Sequence, residues 1–484
     1  MEADREAELA RRKRLRKRRR RRRRIKRILL LLTVFLVIAA AAAGIWKFLR
    51  QDPQTVDLET EQVSYPMETL VPMEWTDDGP VEIRGELPTR FDLRNMGHLI
   101  AVPDQGKFST CWAFAALTAV TTSMPESMVT GLSADHMSLQ NSFGLGQDAG
   151  GDYVMSSAYL LSWQGPVAEA DDPYGDGISP DGLKPVCHVQ EVQIMEQKDL
   201  EAIKWMVYEN GGVQSSFYMP RSAGRERNKY FNKETSAFFY PGDLEANHDV
   251  VIVGWDDGYP KENFVEEPDD DGAFVCMNTW GEGFGEHGFF YISYEDSRIG
   301  SHNVAYTSVE PVDNFDRIYQ SDLCGWTGQL GYGNSTAWFA NVYEAVSGAG
   351  NGDAEQIVAA GFYATAPNTV YKIYVADIDE GEAADEAFAK RSLVSEGYVE
   401  RAGYYTVPFD QALAVNAGER YAVIVCLDSP GTSEPVAIEY CSGSRLANVD
   451  IGDGEGYISP DGKVWQSAES TQECNVCLKA YSRM

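Results

Sequence analysis

The stretch Asp104-Gln105-Gly106-Lys107-Phe108-Ser109-Thr110-Cys111-Trp112-Ala113-Phe114-Ala115-Ala116-Leu117-Thr118-Ala119-Val120 decides how this chain is read. Its first half is polar and holds a glycine. From Trp112 to Val120 it turns small and apolar, a helical run with Ser109 and Thr110 placed to cap it. Cys111 stands at the junction. A helix N-terminus presents unpaired N–H groups and a partial positive charge, which favours thiolate over thiol and so predicts a nucleophile. An ordinary cysteine is a small buried hydrophobe, so the neighbouring residues must decide between the two.

Those neighbours form a pattern. Leu87-Pro88, Phe91-Asp92-Leu93-Arg94, Val102-Pro103-Asp104-Gln105-Gly106 and Cys111-Trp112-Ala113-Phe114 follow one another in the order and spacing that opens the mature papain and cathepsin family of cysteine peptidases. The resemblance continues through Leu132-Ser133 with Leu139, Gly150-Gly151 followed by Ala158-Tyr159, and Asp172-Pro173-Tyr174. Asn247-His248-Asp249 leading into Val250 to Trp255 is similar to the family's histidine strand, and Met277-Asn278-Thr279-Trp280-Gly281 to its asparagine strand. His248 lies 137 residues after Cys111, inside the range of about 130–150. Asn278, at 167, lies beyond it, and the excess falls in an acidic insertion, Asp256 to Asp271.

The resemblance implies an α+β, two-lobed peptidase domain over residues 87–310, with Cys111 as nucleophile and His248 as its acid/base. Asn278 would orient the imidazole, Trp280 would shield that bond from water, and the Gln105 side chain with the Cys111 N–H would hold the oxyanion. Gly150, Gly151, Asp249 and Trp280 are the implied substrate-binding residues. In this family the residue after the histidine lines the pocket for the second side chain upstream of the cut. Asp249 either draws a cationic side chain there or turns inward to accept hydrogen bonds, and the sequence leaves both open.

Two departures matter. Phe108 stands where the family has a cysteine three residues before the nucleophile, and no cysteine lies near Gly150-Gly151, so both halves of that disulfide are missing together. Such a loss suits a reducing or anaerobic exterior. About forty residues, 47–86, separate a hydrophobic span from the peptidase segment, which makes them a linker or short pro-segment and leaves little room for the family's long helical pro-region. Of the other histidines, His98, His136, His188, His287 and His302 show no metal-ligand spacing and are expected on the surface or in loops. Cys474-x-x-Cys477 is a lone pair, read as buried strand positions.

After Pro311 the pattern changes to short alternating runs broken by Gly, Asn and Pro: Thr369 to Val375, Tyr404 to Phe409, Tyr421 to Leu427 and Asn475 to Tyr481. This predicts an all-β sandwich over 311–484. Asn314 to Gln320, Trp338 to Tyr343 and Thr369 to Val375 resemble the lectin-like domain that follows the peptidase in some bacterial cell-surface enzymes of this family, which leaves a cell-wall glycan open as a partner. No cofactor is required. Metal ligands are unassigned, although Asp313, Asp316 and Asp322 leave a structural Ca²⁺ open.

Composition sets the compartment. The 484 residues carry a net charge of −31, but residues 1–27 are +12 and the remainder −43. So acidic a body repels nucleic acid. Ile28 to Trp46 then runs nineteen residues without charge, long enough to span a bilayer as a single transmembrane helix, and the basic tail 1–27 belongs on the cytoplasmic side. Residues 47–484 are therefore expected outside the cell membrane, tethered there, or secreted if Ala41-Ala42-Ala43 is a cleavage site and the chain is cut after Ala43. The reading favoured is a membrane-anchored endopeptidase acting on protein or peptide substrates at the envelope. Its alternatives are a catalytically idle papain fold that serves as a cell-wall binding or adhesion protein, and acyl transfer to an amine by the same Cys and His.

Overall fold

The run that follows Cys111 is apolar on every face, and a helix of that kind is stable only when surrounded by protein. In the computed structural model, which describes residues 68–72, 85–97, 101–220, 228–346 and 354–484, it becomes α1 (Cys111–Ser123), with Trp112, Ala113, Ala115, Ala116, Leu117, Ala119 and Val120 all buried. Its small side chains let three further helices, α2 (Ala134–Leu139), α3 (Tyr153–Leu161) and α4 (Leu200–Asn210), gather around one mixed core. α1 packs against α2 and α3 on one side and against a sheet on the other, which is the two-lobed arrangement expected of 87–310.

The sheet is built from β1 (His188–Met195), β2 (Val213–Phe217), β3 (His248–Asp256), β4 (Ala273–Met277), β5 (Phe289–Ser293) and β6 (Asn303–Glu310), in the order β1-β6-β2-β3-β4-β5. β3 and β4 are antiparallel, with Val251 opposite Met277. The start of β3 and the end of β4 therefore lie at the same edge of the sheet, which brings His248 and Asn278 together although thirty residues separate them. The acidic insertion sits at the other end of this hairpin.

From residue 311 onward the chain is almost wholly β, as its alternation predicts. β7 (Glu355–Ala364), β8 (Ala402–Val415) and β9 (Leu478–Arg483) form one face of a sandwich. A six-stranded sheet, centred on Thr336–Glu344, Thr369–Ile378 and Arg420–Asp428, forms the other. Phe339, Ile357, Phe362, Ile373, Val407, Val423 and Val425 fill the space between them.

Three features differ from the alternation pattern. Asn475 to Tyr481, which reads as one strand, breaks at Cys477: Cys474–Val476 belongs to a four-stranded sheet and Leu478–Arg483 to the sandwich. Glu68–Pro72, within the segment read as linker or pro-segment, is a strand that closes the same four-stranded sheet against Gly328–Gly331. The sandwich is also not a separate body. β8 pairs with β1, Ala402 to Tyr405 against Ile194 to Glu191, so one sheet of thirteen strands runs from the peptidase segment into the sandwich. All described residues lie in one compact unit, Tyr65–Met484.

The basic tail 1–27, the span 28–46, His98 and the 47–86 segment apart from 68–72 and 85–86 lie outside the described residues. Among the described residues no helix is long and apolar enough to cross a membrane.

Candidate active site

Cys111 is the first residue of α1, half-buried, and Thr110 occupies the cap position. The Thr110 hydroxyl does not cap the helix as its sequence position suggests; it pairs with the Tyr174 hydroxyl at 2.6 Å. Cys111 and His248 line one cleft of about 700 Å³, together with Gln105, Gly150, Gly151, Asp249 and Trp280. All seven positions singled out there by the sequence are thus on its wall. Asn278, fully buried, sits behind it.

His248 Nε2 and Asn278 Oδ1 are 2.8 Å apart, and the same oxygen accepts the Thr279 N–H at 2.8 Å. Two donors converging on one atom fix the amide's orientation. Trp280 stacks on the imidazole, ring centroids 4.7 Å apart, and meets Phe284 edge-on. Gln105 is stitched to the same corner, because its backbone N–H donates to Thr279 O at 2.8 Å and its Oε1 accepts from Thr279 Oγ1 at 2.6 Å. Its Nε2 donates to Phe108 O at 2.7 Å and carries a second hydrogen. Thr279 thus ties the loop before the nucleophile to the strand bearing Asn278.

The glycine pair has a steric reason. A Cβ on Gly151 would stand 2.5 Å from the Trp112 indole, so only glycine lets this wall close over α1. Asp249 lies on the cleft but is nearly buried. Its two oxygens accept from Ser216 Oγ at 2.7 Å and Gln214 Nε2 at 3.0 Å, both residues on β2. Burial pushes its carboxyl up to about 6, the two hydrogen bonds oppose that, and Asp152 adds to it.

Burial also pushes the Cys111 thiol up to about 12, and the Asp249 carboxylate drives it the same way. A helix N-terminus alone favours thiolate. Here desolvation and a neighbouring anion act against the fractional charge of the helix end.

The sequence reading missed Thr279, Ser216, Gln214 and Asp152 as parts of this site. The signal for two of them is visible afterwards: Val213 to Phe217 reads VQSSF, three polar residues on a strand whose every position is buried. Buried polar side chains need partners: Gln214 and Ser216 meet Asp249, and Ser215 meets Asn303.

Elsewhere the expectations fare unevenly. His136 and His188 are buried, not superficial: His136 Nδ1 pairs with Tyr159 Oη at 2.6 Å, and His188 stacks on Trp163 with centroids 3.7 Å apart. All eight cysteines are free thiols, with Cys474 and Cys477 in the core. Asp322 is buried with Lys479, Oδ1 to Nζ 2.7 Å, and Asp316 accepts the Met484 N–H at 2.8 Å. No cluster of metal-ligating side chains occurs among the described residues.

With this geometry in hand, likeness to known proteins is specific. Residues 87–309 match the Papain family cysteine protease family, and residues 318–482 match the Lectin like domain family. A viral cathepsin of Adoxophyes honmai nucleopolyhedrovirus is 24% identical over 233 residues, 47% of this chain; the chain spans only 63% of that relative's own length. The solved cysteine protease and lectin-like domains of Cwp84, a surface layer associated protein of Clostridium difficile, superpose with a TM-score of 0.71 at 25% identity, covering 85% of this chain and 91% of that one. Clostridial Cwp84 after propeptide cleavage gives 0.69 at 24%, covering 82% and 99%, a likeness of fold. Residues 87–309 thus form a papain family cysteine protease domain and residues 318–482 a lectin-like domain, the same pair of domains that the Cwp84 structure holds.

Proposed function

We propose that this chain is a cysteine endopeptidase held outside the membrane by residues 28–46 and acting on proteins of the cell envelope. The observation that carries the reading is the His248–Asn278 bond, set beside Cys111 in a single cleft. Nε2 is committed to Asn278, which leaves Nδ1 to exchange a proton with the thiol. The Cys111 proton passes to His248, and Sγ attacks the peptide carbonyl.

The carbonyl oxygen becomes an oxyanion, received by Gln105 Nε2 and the Cys111 N–H. As the tetrahedral species collapses, His248 gives its proton to the leaving amine and a thioester remains. His248 then takes a proton from water, the hydroxide adds to the thioester carbonyl, and collapse releases the acid and restores the thiol. Gly150 and Gly151 offer the substrate a wall without side chains, and Asp249 borders the position of the second side chain upstream of the cut. The envelope assignment rests on the expected topology and on the likeness to a protein described as surface layer associated; the lectin-like segment would address envelope glycan.

Cys111→Ala removes the covalent route and little volume. It is expected to abolish peptide hydrolysis and labelling by a thiol-directed epoxide while leaving the circular dichroism spectrum unchanged. Equal turnover by variant and parent would overturn the cysteine peptidase reading, and no turnover or labelling by the parent would leave the adhesion protein in its place.

A further inference from the structure

The lectin-like segment touches the substrate wall directly. Asp152, next to Gly151, caps α3: its Oδ1 accepts from the N–H groups of Val154 and Met155 at 3.1 and 3.3 Å, with its own backbone extended. The same carboxylate receives both terminal nitrogens of Arg445, one of them at 2.6 Å, a two-pronged pairing across 293 residues of sequence. The Arg445 guanidinium also lies over the Phe143 ring, 5.3 Å from its centroid, and Arg445 O accepts the Gly144 N–H at 3.0 Å. The fit is close, since a Cβ on Gly144 would stand 2.8 Å from Ser444 O. A loop of the C-terminal domain therefore grips residues 143–152 at both ends, and residues 148–152 form part of the cleft wall.

Forked guanidinium–carboxylate pairs fix orientation as well as proximity. Within the peptidase segment His302 also feels the Asp152 charge, but its burial favours the neutral imidazole, so the forked pair with Arg445 sets the position of the Gly150-Gly151 wall relative to Cys111 in part from outside the peptidase segment.

We propose that Arg445 is a positioning residue for substrate binding: by holding Asp152 it fixes the glycine wall, and so couples the lectin-like domain to the affinity of the protease cleft. The inference rests on the peptidase reading above. Removing the grip loosens the wall without touching Cys111, His248 or Asn278, so it weakens substrate binding while the chemical step proceeds.

The test is a double-mutant cycle on the full chain, with active sites counted by epoxide labelling. Arg445→Ala is expected to raise KM about fivefold with kcat within about twofold of the parent, and Asp152→Asn, which keeps a capping side chain while losing the charge, is expected to raise KM to a similar extent. The double variant should be no worse than either single one, and Arg445→Lys should recover part of the loss. Parent-like KM in Arg445→Ala, or independent additive losses in the double variant, would overturn the coupling. So would a fall in kcat and in the urea midpoint with KM unchanged, because that pattern marks general destabilisation. If hydrolysis persists in Cys111→Ala, the peptidase reading itself has failed; if hydrolysis needs Cys111 and the Arg445 variants match the parent, only the coupling has.

Discussion

At the scale of the residue, Asp249 is the least ordinary feature of the site. A carboxylate placed beside the nucleophile opposes thiolate formation, and burial holds that carboxyl up at about 6. Between pH about 4, near the unfolded value, and 6, the folded protein keeps a proton that the unfolded chain has lost. The stabilisation this gives is complete below the unfolded value and is lost as pH rises through 6. Asp249→Asn should therefore flatten the dependence of the urea midpoint on pH across that window. It should also speed epoxide labelling of Cys111 at pH 7 by about threefold or more, since a single unit of thiol pKa is tenfold in thiolate. Unchanged labelling would mean that the anion does not act on the thiol. Asp249 was singled out in the sequence as the residue after the histidine, and an inward turn to accept hydrogen bonds was one of two readings left open; its partners were not legible, because Ser216 and Gln214 reach it from a strand more than thirty residues away.

At the scale of the element, the join between β1 and β8 carries most. Gly403 makes it feasible: its φ is 148°, and a Cβ there would stand 2.0 Å from Val192 O. Gly403→Ala must force the two strands apart or strain the backbone, at a cost on the order of 1–3 kcal/mol. The expected outcome is a lower urea midpoint with the Cys111 labelling rate kept near the parent's. A midpoint equal to the parent's would show that the strands tolerate the methyl group. Strand membership was readable from alternation, yet the partner of each strand was not, because alternation encodes which face is buried and says nothing about which edge is met.

At the scale of the whole molecule, charge organises the chain. A +12 tail, an uncharged nineteen-residue span and a −43 body are a polarity that a membrane can read. In intact cells, added protease is expected to digest residues 47–484, and the body is expected to sediment with membranes. A fully soluble protein in the medium beginning at Gly44 would replace the tether with a cleaved leader.

What the sequence by itself determined was chemistry and fold class. The residue types needed for acyl transfer through a thiol occur in a fixed order at Gln105, Cys111, His248 and Asn278, and periodicity separates a mixed α and β segment from an all-β one. The second is a local property, written in neighbours along the chain; the first is an order of motifs legible through resemblance to a known family. What only the tertiary structure decided was contact at a distance: Thr279 stitching Gln105 to the asparagine strand, the inward turn of His136 and His188, the split of Asn475 to Tyr481 between two sheets, the strand shared across the domain boundary and the grip of Arg445 on Asp152. Each of these depends on which surfaces meet when the whole chain excludes water, a global minimum that no local window of residues contains.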